Sequence, residues 1–296
     1  MVNLRGAALM TLSMLGFAIE DVLIKTLGAN ISAGQIISTI SLGAGLIFAV
    51  WFIARGEPVF VRAHMSRMVW LRSLFDVMGT ILFLTALMRL DVTMISAVIQ
   101  ATPLVVALGG VLFLGQSVGW QRWSAISVGF IGVLIIIRPG VDGISMPMVI
   151  GVLGMMGLAA RDLTTRALKI DISGAHLTFH AFMLLVPAGL ILTKINGQSL
   201  SMVSGSEALT LLGCVAVVLL AYLALVAATR KGDAAFISMF RYTRMVFALF
   251  LSMVFLGERP DALTLVGVAI VIGAGIFTLL REARARATSK SQPDPL

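Results

Sequence analysis

The sequence predicts an all-α integral membrane protein: ten transmembrane helices arranged as two inverted five-helix repeats. Three observations carry that expectation. The 296 residues are 59% hydrophobic and only 12% charged, with a mean hydropathy of +1.03, whereas soluble domains are about a quarter charged. Apolar stretches of about 20 residues, the length that crosses a hydrocarbon core of about 30 Å, recur between short connections. Charged residues recur inside those stretches, at matching places in the two halves of the chain.

The first span, about 4–27, carries Glu20, Asp21 and Lys25 and is read as a retained helix rather than a signal peptide, being too long and lacking a small-x-small cleavage site. Spans at 34–54 and 68–89 follow, the latter with Arg72 and Asp76. The fourth, 92–114, starts after Asp91, and the fifth covers 119–137. The second half repeats the plan: 147–168 with Arg161, Asp162 and Arg166, then 173–194, 207–229, 233–256 with Arg241 and Arg244, and 261–281. Buried peptide groups in lipid need internal partners, so each span should be a helix. The repeats occupy 1–140 and 141–281, and residues 282–296 are expected to form a disordered cytoplasmic tail.

Lys and Arg give the orientation. With the N-terminus inside, thirteen of the 22 fall on the inner side, five on the outer side and four within spans. The positive-inside rule then places both termini in the cytoplasm, in a multi-pass protein of the inner membrane. The formal charge of +8 does not indicate nucleic acid, because the basic residues sit at loop ends and in the tail. A single cysteine, Cys214, excludes disulfides within the chain.

The repeat has a definite register. A shift of about 141 puts Gly16 on Gly157, Glu20 on Arg161, Asp21 on Asp162, Lys25 on Arg166 and Ser32 on Ser173. A shift of about 142 puts Asp91 on Asp233, Ile95-Ser96 on Ile237-Ser238 and Phe113-Leu114-Gly115-Gln116 on Phe255-Leu256-Gly257-Glu258. Five crossings per half is an odd number, so the halves should enter the membrane in opposite directions, a recurring transporter plan with its site at the repeat interface.

Leu71-Arg72-Ser73, Ala86-Leu87-Met88-Arg89-Leu90-Asp91, Ser96-Ala97, Pro103-Leu104 and Phe113-Leu114-Gly115 resemble the third-to-fourth-helix signature of the drug/metabolite transporter superfamily. Phe255-Leu256-Gly257-Glu258-Arg259-Pro260 and the glycine-rich last span resemble its counterpart in the second half. The resemblance covers residues 4–281. It implies the EamA-type fold, with a central cavity formed by the first, third and fourth helices of each half. It also implies substrates among amino acids, purine-like compounds, riboflavin and S-adenosylmethionine. Gln116 and Met245 depart from the pattern.

Charges inside lipid are costly, about 2.5–3.5 kcal/mol at the bilayer centre on insertion scales, so they mark function or pair off. Asp21 and Lys25, Arg72 and Asp76, and Asp162 and Arg166 each stand four apart and can pair on one helix face. Glu20 and Arg161 are repeat-related and opposite in sign, which suits a gate. Asp76 could carry a coupling proton. Phe240-Arg241-Tyr242-Thr243-Arg244 is the sharpest cluster: its guanidiniums suit a carboxylate, a phosphate or a heteroaromatic edge. Gln100, repeat-equivalent to Tyr242, adds an amide. Arg241, Tyr242, Thr243, Arg244 and Gln100 are therefore the expected substrate contacts. Glu20, Asp21, Arg72, Asp76, Arg161 and Asp162 are the expected gating or coupling set.

His176 and His180 have metal-compatible spacing but no companion ligand, and are read as packing residues. Gly151, Gly154 and Gly157 should permit close helix packing. No phosphate-binding glycine loop and no zinc-hydrolase motif is present, so no catalytic residue, cofactor or metal is expected. The expectation is a secondary transporter, monomer or homodimer, of a small polar or heteroaromatic metabolite, with riboflavin the single best candidate. The rival readings are an amino acid or S-adenosylmethionine-like substrate, an intramembrane lipid-modifying enzyme, and a non-transporting interaction protein.

Overall fold

A computed structural model of the protein describes residues 2–115, 120–137, 145–230 and 240–290, and no strand occurs among them. The helices are α1 (Val2–Leu27), α2 (Ala33–Ala54), α3 (Arg67–Leu87), α4 (Val92–Ile99), α5 (Thr102–Leu114), α6 (Trp120–Ile137), α7 (Met146–Ala167), α8 (Gly174–Ile195), α9 (Gly205–Arg230), α10 (Thr243–Leu251) and α11 (Ala262–Lys290). Short 3-10 turns cover Arg62–Met65 and Phe240–Tyr242, and a π turn, Ser252–Leu256, extends α10.

Seven segments are long and apolar enough to cross a membrane, α4 and α5 together forming one of them, Val92–Phe113. Two shorter apolar stretches lie at Ser127–Ile136 and Ala262–Phe277. Leucine, isoleucine and phenylalanine cover the outer surfaces; Val50 and Ile53 on α2 are 66% and 68% exposed. A helix apolar on every side is stable only with lipid or protein all around it. One boundary is corrected: α11 continues as helix to Lys290, so 282–290 are not the disordered tail that was expected. Alanine and arginine, good helix formers, fill that extension. Residues 233–239 of the ninth expected span, including the counterparts of Asp91 and Ile95-Ser96, lie outside the described residues, as do Gln116 and 291–296.

Local signals recur at the repeat spacing. Ser32 caps α2 by accepting from Gln35 N at 3.3 Å, and Ser173 caps α8 by accepting from His176 N at 3.2 Å. Gly115 and Gly257 end their helices at φ of +61° and +67°, a left-handed conformation that glycine adopts without penalty.

The major packing runs between elements far apart in sequence: α3 on α7, α1 on α9, α2 on α8 and α6 on α11. α10 lies against α1, and α5 against α7. Small residues set these approaches, as expected for association without a hydrophobic drive between helices. A Cβ on Gly157 would stand 2.8 Å from Gly79 Cα, and one on Gly154 2.7 Å from Phe83 N, so α3 and α7 touch backbone to backbone. α1 and α9 meet at Gly16, where an added Cβ would lie 2.8 Å from that of Ala221. The largest core cluster joins these helices through Ala18, Phe83, Ile95, Met155 and Val218.

Candidate functional site

A helix break and the start of another helix meet inside the bundle. Pro103, in the first turn of α5, has no N–H to offer the carbonyl of Ile99, and the chain breaks at Gln100–Ala101. The Thr102 hydroxyl donates to that Ile99 carbonyl at 2.5 Å. On the other side, the 3-10 turn Phe240–Tyr242 precedes α10, and Thr243 Oγ1 donates to Phe240 O at 2.6 Å. The break and the turn touch: Gln100 Nε2 donates to the carbonyl of Arg241 at 3.1 Å. Irregular backbone at membrane depth is tolerated where protein or a watery cavity surrounds it.

Charged side chains inside the bundle form two sets. In the first, Arg244 reaches from α10 to α1 and grips Asp21, with Nη2 at 2.9 and 2.7 Å from the two carboxylate oxygens and Nε at 3.2 Å. Its guanidinium also lies over Phe17 and Phe83. Glu20, beside Asp21, makes no hydrogen bond or ion pair among the described residues. In the second, Asp76 on α3 accepts from Arg72 at 2.8 Å and from Arg161 on α7 at 3.0 Å, while Arg161 also holds Asp162 at 2.8 Å. Arg72 goes on to Leu177 O at 3.2 Å. Arg241 is exposed and lies in electrostatic range of Asp162 and Arg161, yet its guanidinium has no ion-pair partner among the described residues.

Several expected pairings are corrected. Asp21 pairs with Arg244, not with Lys25; Lys25 donates to the carbonyls of Leu87 (3.1 Å) and Leu90 at the end of α3, where cations favour the helix dipole. Asp162 pairs with Arg161 rather than Arg166, and Arg161 is occupied by two aspartates rather than by Glu20. Arg72–Asp76 pairs as the spacing implied. Arg244, expected as a substrate contact, is paired with Asp21 of α1. Of the five expected substrate contacts, Gln100 reaches the backbone carbonyl of Arg241, while Arg244 turns to Asp21. Thr243 bonds its own turn. Tyr242 is buried, its ring so close over Gly275 of α11 that no Cβ would fit, and its hydroxyl has no partner among the described residues.

The two ends of the bundle are stitched differently. Where α1 and α3 finish, the Glu258 carboxylate caps α4, accepting from Val92 N at 2.6 Å and from Thr93 N and Oγ1 at 3.1 and 3.2 Å. Where α3 and α8 begin, all three histidines assemble. His64 stacks on His180 with ring centroids 5.1 Å apart and reaches His176 O at 3.2 Å; His176 reaches Pro58 O at 3.0 Å, and His180 bonds Ser73 at 2.8 Å. Sequence reasoning found His176 and His180 as packing residues but missed His64, which sits in a connection with no periodicity to flag it. No cluster able to hold a metal ion occurs among the described residues.

Known proteins give this arrangement a context. The profile of the EamA-like transporter family matches twice, over residues 4–138 and 146–280. A riboflavin transporter of Rhizobium johnstonii is 25% identical over 280 residues, covering 94% of this chain and 92% of that protein. An S-adenosylmethionine uptake transporter of Rickettsia felis is 24% identical over 284 residues, 95% of each. A pseudopaline exporter of Pseudomonas aeruginosa is 24% identical over 274 residues, 92% of this chain and 94% of that one. A crystal structure of a protein with 15% identity superposes with a TM-score of 0.60 over 93% of this chain and 98% of the other, a likeness of fold alone.

Proposed function

The chain belongs to the EamA-like transporter family, and from that premise we propose that it is a secondary transporter carrying a small polar organic metabolite across the inner membrane by alternating access. Its relatives are transporters, not enzymes. The observation that carries the mechanism is the contact between the break after α4 and the turn before α10, Gln100 against the carbonyl of Arg241. Discontinuous helices at a repeat interface are a recurring way to place backbone dipoles and side chains on a substrate.

The ten-helix, five-plus-five reading is supported by the packing order. Moving every span on by five turns α3 on α7 into α9 on α1 and leaves α2 on α8 and α6 on α11 paired with each other. Gly16 and Ala221 then correspond to Gly157 and Gly79. Such an arrangement lets one pair of helices rock against the other. Arg241, Arg244 and Gln100 contact the substrate, with Thr243 and Tyr242 shaping the turn that presents them. Glu20, Asp21, Arg72, Asp76, Arg161 and Asp162 form the gating and coupling set, a proton being the candidate coupling ion. Both termini face the cytoplasm and the protein works as a monomer or homodimer in the bilayer.

The test is counterflow in proteoliposomes with labelled riboflavin, S-adenosylmethionine and amino acids, riboflavin standing first from the sequence. Exchange of at least one compound, lost in Arg241→Ala or Arg244→Ala protein that still inserts, is the expected result. Unchanged exchange in both variants would remove these residues from the site.

A further inference from the structure

α4 is tied to the second half of the chain at both of its ends. At its deep end Gln100 donates to the carbonyl of Arg241 at 3.1 Å. At the other end the Glu258 carboxylate accepts from Val92 N, Thr93 N and Thr93 Oγ1, and Thr93 Oγ1 also meets Ser252 Oγ at 2.9 Å. Val92, Thr93 and Ser252 are all buried there. The helix between these ties has eight residues, a rise of about 12 Å. Glu258 reaches it because the π turn Ser252–Leu256 and Gly257, at φ of +67°, bend the chain back, with Glu258 N donating to Ser252 O at 3.2 Å.

The cap is unusual in its source. Asp91 occupies the N-cap position of α4 with the extended backbone of a capping residue, φ −61° and ψ 139°, and aspartate is among the best N-caps, yet its side chain makes no capping bond. It is exposed instead, and lines a cavity of about 130 Å³ with Arg259, Asp261 and Thr264. The Thr93 N–H that a local cap would take goes to a carboxylate 165 residues away. An exposed aspartate and a bridging glutamate therefore compete for one donor. A carboxylate at a helix N-terminus is favoured by charge-assisted hydrogen bonds and by the helix dipole, whichever residue supplies it.

We propose that Glu258 is the latch of the outer gate and Asp91 its reserve cap. In the closed arrangement of this structure, Glu258 clamps α4 to the end of α10. Opening draws the Ser252–Leu256 turn away from α4 and takes the Glu258 carboxylate with it. Left bare, the first N–H groups of α4 would oppose that movement, because each would lose its hydrogen-bond partner. Rotation of the Asp91 side chain onto Thr93 N or Met94 N, the donors an N-cap residue ordinarily takes, removes the penalty. The exchange keeps α4 intact in both states, so a rigid helix rather than a frayed one carries the Gln100 end. Lys25, held by the carbonyls of Leu87 and Leu90, keeps the preceding end of α3 fixed. The proposal rests on the transporter reading and on the orientation that places this end outside.

The experiment measures distances between spin labels on the full chain in lipid bilayers, in a Cys214→Ala background. Arg89→Cys with Ala262→Cys spans the outer end, and Arg67→Cys with Lys169→Cys spans the inner end; all four side chains are exposed. The outer pair should show a short distance and a minor longer one. Glu258→Gln, a neutral and weaker acceptor, should raise the long-to-short ratio of the outer pair about five-fold without lengthening the inner one. Asp91→Ala should hold that ratio several-fold below Asp91→Asn, because asparagine caps as well as aspartate and alanine does not. Both variants lack the Asp91 charge, so the comparison isolates the cap. No change with Glu258→Gln, widening at both ends, or equal ratios in the two Asp91 variants overturns the proposal. If Glu258→Gln does not insert, the Asp91 variants decide. Counterflow of labelled riboflavin, S-adenosylmethionine and amino acids separates the two readings. Exchange that persists with a fixed outer distance removes the latch and leaves the transporter standing, while no exchange of any compound overturns the transporter reading and the gate with it.

Discussion

The α1–α10 contact and the α3–α7 contact handle the same difficulty, ionised groups inside an apolar bundle, with different redundancy. Asp21 and Arg244 hold each other through three close N–O approaches, and Asp21 is almost fully enclosed, its side chain 3% exposed. Asp76 instead stands between two guanidiniums and Arg161 between two carboxylates, so every inner member of that chain has a second partner. A lone buried pair has no fallback when one member goes. A linked set of four relaxes onto the remaining bonds, which suits a region whose contacts change as a substrate passes.

The largest expected effect falls on the lone pair. Asp21→Ala should destabilise the protein by about 3–5 kcal/mol, because it strands Arg244, whereas Arg72→Ala should cost about 1–3 kcal/mol with Asp76 still held by Arg161. Thermal unfolding in detergent reads both, and equal losses would break the comparison. Replacing both members, Asp21→Leu with Arg244→Leu, should recover much of the stability.

Next come the glycine crossings that sit beside each charge set. Gly157→Ala should cost about 1–3 kcal/mol, since its methyl meets the backbone of Gly79 and cannot be accommodated by a rotamer. Gly16→Ala meets only the methyl of Ala221 nearest it and should cost less; the same unfolding assay ranks the two. Glu258→Gln, which keeps the shape but removes the charge from the α4 cap, should lose about 0.5–2 kcal/mol.

The smallest effect is a slope with pH at the histidine end. Burial holds the His64 imidazole below the ordinary histidine value of 6.5. The folded protein therefore binds that proton less readily than the unfolded chain. The His64 contribution to stability is complete above pH 6.5 and declines as the pH falls below it. His64→Gln should flatten the dependence between pH 7 and 5. An unchanged slope would assign the effect to other groups.

Hydropathy made the spans legible because lipid imposes length and apolarity on each one separately. Caps such as Ser32 and Ser173 were legible in the repeat for the same local reason. Charge pairing was legible only for Arg72 and Asp76. Spacing says which side chains can meet on one helix, not what reaches in from another: Lys25 goes to the carbonyl end of α3, and Arg244 arrives at Asp21 from 223 residues away in sequence. The cluster 240–244 was found from residue types, yet Tyr242 turned to α11 because Gly275 leaves room for its ring there.

The packing order has a consequence for how the chain is made. α1 has its main partner in α9, α2 in α8, α3 in α7 and α6 in α11, so little of the first half's apolar contact surface is covered by its own helices. During synthesis at about 5–20 residues per second, domains ordinarily fold as they emerge. Here the early helices must wait in the bilayer for partners still on the ribosome, and α6 waits until the last span is translated. Biogenesis is an assembly of pre-inserted helices, and a chain truncated after α6 would be left without its major packing partners.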